Sequence, residues 1–134
     1  LRNRELDFCC LPRPLSWNLL LSIYFLKMAK VNLDIEAELQ NAVRARLAGN
    51  EGRARVCARR AAGIAARVFL SRHAIHLRDR SAYTALQVLA EFPGLAPDLR
   101  AATLHLVTRV TEEFNLPMVA DLIADARKLI GGLD

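Results

Sequence analysis

Several things are scarce in this chain, and each scarcity excludes a class. Alternating runs of Val, Ile, Thr and aromatic residues are missing, and aromatics make up only 6% of the sequence, so a sheet-built domain is excluded. Glycine and proline number six and five in 134 residues, and hydrophobic residues reach 53%, which excludes a disordered or low-complexity chain. The three cysteines are Cys9, Cys10 and Cys57. Adjacent cysteines do not form an ordinary structural bridge, so no disulfide framework is expected and the setting reads as a reducing cytoplasm. The three histidines stand apart from any paired cysteines, which removes zinc spacing. A Gly-rich phosphate loop, a nucleophile elbow and a nucleotide fingerprint are all absent, so no cofactor is implied. No apolar run reaches the about 20 residues of a membrane span.

Lysine is also scarce. Only Lys27, Lys30 and Lys128 are present, so arginine carries most of the basic charge behind the formal +5. Arginine suits bidentate phosphate and carboxylate contacts, and GC-rich bacterial coding produces the same bias. A charge of this size permits an acidic or nucleic-acid partner without requiring one.

The segment from Glu51 to His73, EGRARVCARRAAGIAARVFLSRH, reads as the main helix. Ala and Arg lose little side-chain freedom in a helix, Asn50 suits the N-cap, and Glu51 puts a carboxylate in the first turn, where the dipole favours it. Cys57, Ala61, Ile64 and Val68 form one apolar stripe, with Ala54, Ala58, Ala62, Ala65 and Phe69 beside it. Arg53, Arg60 and Arg67 repeat every seven residues on the basic back, joined by Arg55 and Arg59. These five arginines are the candidate nucleic-acid contacts. The alanine-lined surface, with Ile64, Val68 and Phe69, reads as the packing spine of the bundle, and it is also the candidate for association with a second chain.

Around this helix the spacing predicts an all-α, antiparallel up-and-down bundle of four to five helices. A first helix is expected from Asn32 or Asp34, with Ile35, Leu39, Val43 and Leu47 inward and Gly49 as its stop. Residues 74–80 read as a loop, and Ser81 as the cap of a short helix containing Tyr83, Leu86, Leu89 and Ala90. Residues 92–97 form a turn, and Pro97 opens a helix carrying Leu99, Ala102, Leu106, Val110 and Phe114, which ends at Asn115. Pro117 is expected to start the last helix, with Val119, Leu122, Ile123, Ala126, Leu129 and Ile130 inward and Gly131-Gly132 as its stop.

Residues 1–27 differ in character from the single bundle domain expected over 28–134. They hold the only Trp, two of the cysteines and two of the prolines, and Met28-Ala29-Lys30 looks like an ordinary start, so Met28 is expected to be the natural initiator. A secretory reading of the twelve residues from Leu15 to Leu26, behind Arg2, Arg4 and Arg13, lacks a small-residue cleavage site. A third reading is an extra helix packed on the bundle or on a partner.

Two stretches, RARVCARRAAGIAARVFL (Arg53 to Leu70) and DLIADARKLI (Asp121 to Ile130), with SAYTALQVLA between them, give the chain from Met28 onward a resemblance to the HEPN-like superfamily. The resemblance implies a small helical bundle that forms a homodimer or pairs with a nucleotidyltransferase-type protein, often in toxin–antitoxin systems. Active members are metal-independent ribonucleases with an Arg followed, four to six residues on, by a His. Arg100 with His105 and Arg67 with His73 have that spacing, and only the first pair lies early in a late helix, as in the family. The resemblance would make His105 the general acid/base for RNA cleavage and Arg100 the stabiliser of the phosphorane charge. Ala101 and Ala102 follow Arg100 where the family often has a polar residue. Read from the residues alone, His105 is a partly buried helix position between Leu104 and Leu106. On the same reading Arg100 is a solvated first-turn side chain paired with Asp98 or a neighbouring acid. Glu112-Glu113, Asp121 and Asp125 read as a solvated charged face. Three functions stay open at this level: an HEPN-like module acting by association, an RNA-cleaving toxin, and a basic nucleic-acid-binding bundle.

Overall fold

The computed structural model describes residues 16–111, 113, 115–116 and 120–134. Arg2, Arg4, Arg13, Cys9, Cys10, Glu112, Phe114, Pro117 and Val119 lie outside the described residues. The described chain is all-helical: α1 Trp17–Leu47, α2 Glu51–Arg72, α3 Ala82–Ala90, α4 Pro97–Val107 and α5 Leu122–Gly132. Contacts divide it between Lys30 and Val31 into two units.

In the first unit, α1 begins at Trp17 rather than at Asn32 or Asp34. Neither glycine nor proline occurs between Ser16 and Ala48, so nothing stops the helix upstream of the two expected caps. Trp17, Leu19, Leu20, Leu21, Ile23, Tyr24, Phe25 and Leu26 are all exposed, with Trp17 at 77% and Phe25 at 67%. No described helix is long and apolar enough to cross a membrane.

In the second unit, α1 contributes Ile35, Leu39, Ala42 and Ala45 to the core. The expected i+4 series drifts, because each step of four advances 400° around a 3.6-residue helix. By Leu47 it has turned about 120° from Ile35, and Leu47 is 82% exposed. Gly49 ends the helix with φ +77°, a conformation that glycine adopts without penalty.

The boundaries of α2 are as the sequence predicts. Asn50 Oδ1 accepts the Arg53 backbone N–H at 3.0 Å, and residues 73–81 form the loop. The helix packs on α3 and α5, and α4 in turn packs on the same two helices. Ala54, Cys57, Ala58, Ala61, Ala62, Ala65, Ala66 and Leu70 are buried. The alanine face is therefore the packing surface of the bundle, as the spacing predicts, and is covered within the chain rather than open to a second copy.

The approach to α3 is closest at Gly63. A Cβ added there would stand 2.4 Å from Ala82 Cβ and 2.7 Å from Ala82 Cα, so only glycine fits without moving a helix. Ser81 caps α3 as expected, through the Thr84 backbone N–H at 3.4 Å. Asp79 adds to that start by accepting the Ser81 N–H and the Thr84 hydroxyl, at 2.9 and 2.8 Å.

The last two helices are shorter than the spacing predicts. Helix α4 ends at Val107, not Asn115, because Thr108 turns extended (φ −60°, ψ 127°) and Thr108, Val110 and Thr111 are β-branched. Helix α5 starts at Leu122, not Pro117: Asp121 Oδ1 accepts the Ile123 and Ala124 backbone N–H groups. Gly131 and Gly132 belong to the helix, which stops at Leu133, and a Cβ on Gly132 would meet the Leu99 side chain.

Candidate nucleic-acid groove

Seven residues advance an α-helix by 700° and about 10 Å, so Arg53, Arg60 and Arg67 run in one line along α2. The structure gives the five candidate arginines different surroundings. Arg53 is exposed and lines a depression with Asn41, Arg44 and Asn50. Arg55 is half-buried, and its Nε stands 4.0 Å from Glu51 Oε1. Arg59 reaches across to α4, donating from Nε to the Leu106 carbonyl at 2.8 Å and from Nη2 to the Thr108 carbonyl at 2.7 Å. It closes the C-terminus of α4, whose last carbonyls have no partners inside the helix. Burial there, followed by the nearby Arg55 charge, lowers the Arg59 pKa from its ordinary value.

Arg60 and Arg67 line an open groove of about 480 Å³ between α2, α1 and the start of α3. Gly63 and Ile64, a turn from each arginine, form its apolar floor together with Ala82. Arg80 and Tyr83 complete the far side, and Arg109 places its guanidinium 5.1 Å from the centre of the Tyr83 ring. Glu38 of α1 is the one acid lining the groove, and its Oε2 is buried without a hydrogen-bond partner among the described residues. Arg67 also acts on Asp79, whose carboxyl is held below its ordinary value by the Ser81 N–H, the Thr84 hydroxyl and this charge.

Sequence reasoning missed Glu38, Arg80 and Tyr83 as members of the site. The available signal was the local pattern Arg60-x-x-Gly63-Ile64-x-x-Arg67: two arginines one line apart with a glycine between them leave a concave, positively flanked stretch of helix.

The Arg100–His105 pair is held differently. Arg100 Nη2 donates to the Phe92 carbonyl at 3.0 Å, and not to Asp98. His105 Nδ1 lies 3.0 Å from Asp125 Oδ2 on α5. Five residues on a helix stand about 140° apart, so the two side chains leave α4 in different directions. Asp121 and Asp125, read from the sequence as one solvated face, are both engaged by partners from other helices. Arg46 Nη1 lies 2.9 Å from Asp121 Oδ1, and Arg46 Nη2 lies 2.8 Å from Glu51 Oε1, so one guanidinium ties α1 to the starts of α2 and α5. The Arg46 bond holds Glu51 below its ordinary 4.5. For Asp121 burial alone acts upward, but Arg46 and the backbone N–H groups of Ala124 and Ile123 bring the net value below 3.8. No group of three or more metal-ligating side chains occurs among the described residues.

Comparison with family models, with curated proteins and with solved structures returned no match.

Proposed function

We propose that this chain is an HEPN-like helical-bundle protein of the cytoplasm that acts by binding, and that its ligand is an RNA strand held along the groove beside α2. The observation that carries this reading is the convergence of Arg60, Arg67 and Arg80 on one open groove in which Glu38 is the one acid among the described lining residues. Guanidinium groups pair with phosphates in a planar, bidentate manner and release counterions when they do. The helix order, with a long second helix, a short third and a closing α5, supports the HEPN-like part of the reading. The separate engagements of Arg100 and His105 support binding without cleavage.

Fluorescence anisotropy with a short labelled single-stranded RNA tests the proposal. Three phosphate contacts give a slope of log affinity against log salt of about −2, and the double variant Arg60→Glu, Arg67→Glu abolishes binding. Salt-independent binding, binding that survives the double variant, or no binding at all would remove the reading. Cleavage of the RNA, lost in His105→Ala, would instead establish the ribonuclease role.

A second reading has its own observation. Eight exposed large apolar side chains between Trp17 and Leu26 favour association with a second copy of the chain through this part of α1. Light scattering of the full chain and of a version beginning at Met28 tests it. A change from dimer to monomer supports the reading, and two equal masses remove it.

A further inference from the structure

From the chemistry of the groove we infer that it accepts a single-stranded RNA segment with a base turned inward onto Tyr83 and the phosphates outward on Arg60, Arg67 and Arg80. This inference rests on the RNA-binding reading above and narrows it. A surface that recognised only polyanions would need cations and nothing more. This groove has three further features that bare phosphate does not use. Its floor, Gly63, Ile64 and Ala82, is apolar and brings no donor to a phosphate oxygen. Tyr83 lines the groove with Arg109 already over its ring, so a base stacking on the tyrosine would extend an existing cation–aromatic pair. Glu38 places a carboxylate among the arginines that line the groove. That charge repels a bare polyanion, so the groove is not built for phosphate alone.

The dimensions agree. About 480 Å³ is the size of a small-molecule cleft, enough for a base with its sugar. Arg60 and Arg67 leave α2 about 10 Å apart along its axis, and their long side chains can each meet a phosphate of one strand.

The test compares a labelled single-stranded RNA, a duplex of the same length and inorganic polyphosphate on the full chain, with helical content checked by circular dichroism. Single-stranded RNA is expected to bind at least tenfold more tightly than the duplex. Tyr83→Leu should weaken RNA binding by roughly 5- to 100-fold while leaving polyphosphate binding within twofold, and Tyr83→Phe should retain RNA affinity because the ring remains. Glu38→Gln should strengthen polyphosphate binding. If RNA and polyphosphate bind equally per charge and Tyr83→Leu changes neither, the base-inward inference fails while the basic groove stands. If neither polymer binds, the RNA-binding reading itself fails.

Discussion

Arg59 and Arg60 are adjacent, equally basic and both line the groove, yet only Arg59 is tied by hydrogen bonds to the end of α4. Arg59→Met keeps the aliphatic stem and removes the two charge-assisted bonds to Leu106 and Thr108. Each such bond contributes about 1.5–3 kcal/mol. Two terms reduce the sum. Burial disfavours the Arg59 charge, as its lowered pKa indicates, and Thr108 is only half-buried, so water replaces part of what its carbonyl loses. A net cost of about 2–3 kcal/mol follows, or a fall in Tm of about 8–12 °C for a domain of this size. Arg60 is exposed, and Arg60→Met should stay within about 0.5 kcal/mol of the parent while weakening RNA binding. Urea unfolding followed by circular dichroism, beside the anisotropy assay, reads both effects. Equal stability of the two variants, or an Arg59→Met protein within about 0.5 kcal/mol of the parent, would refute the assignment of Arg59 to the end of α4.

Other outcomes follow from single contacts. Gly63→Ala would ordinarily stabilise a helix interior by about 1 kcal/mol, but here the new methyl meets Ala82 backbone and Cβ, so a net loss of about 1–3 kcal/mol is expected in thermal unfolding. The Arg46 cluster predicts a pH dependence. Glu51 and Asp121 titrate below their ordinary 4.5 and 3.8 when folded, so the unfolded chain takes up protons first as pH falls. Their contribution is complete above about pH 4.5 and is lost as pH drops through the depressed values. The three side chains are 36%, 42% and 53% exposed, so screening holds the total to about 1 kcal/mol. Arg46→Met should therefore cost about 1 kcal/mol at neutral pH and less as the pH falls toward about 3, measured by urea unfolding at both, and a constant difference would contradict the sign.

Local chemistry made much of the fold legible. Asn50 and Ser81 are caps whose side chains reach a backbone N–H three residues on, and such bonds lie within reach of sequence spacing. The same holds for the turn at residues 92–97 and for the apolar side of α2. What spacing did not reveal depends on residues far apart in the chain. The end of α4 is held from 47 to 49 residues away by Arg59, and the start of α5 is tied to α1 through Arg46 and Asp121. The extension of α1 back to Trp17 was obscured by a change in composition at Met28, which carries no helix-breaking residue. Within the groove, the α2 arginines were visible as a heptad line. Arg80, Tyr83 and Glu38 join them only through the tertiary fold, which sets the start of α3 against Gly63 and brings Glu38 of α1 to the same groove.

A titration of the ¹⁵N-labelled full chain with single-stranded RNA, followed in amide NMR spectra, tests the central claim most directly. The groove reading predicts that the amides of Arg60, Ile64, Arg67 and Arg80 to Tyr83 shift together and saturate, while those of Arg100, His105 and Asp125 stay in place. Shifts centred on Arg100 and His105, or a spectrum unchanged by RNA, would contradict it.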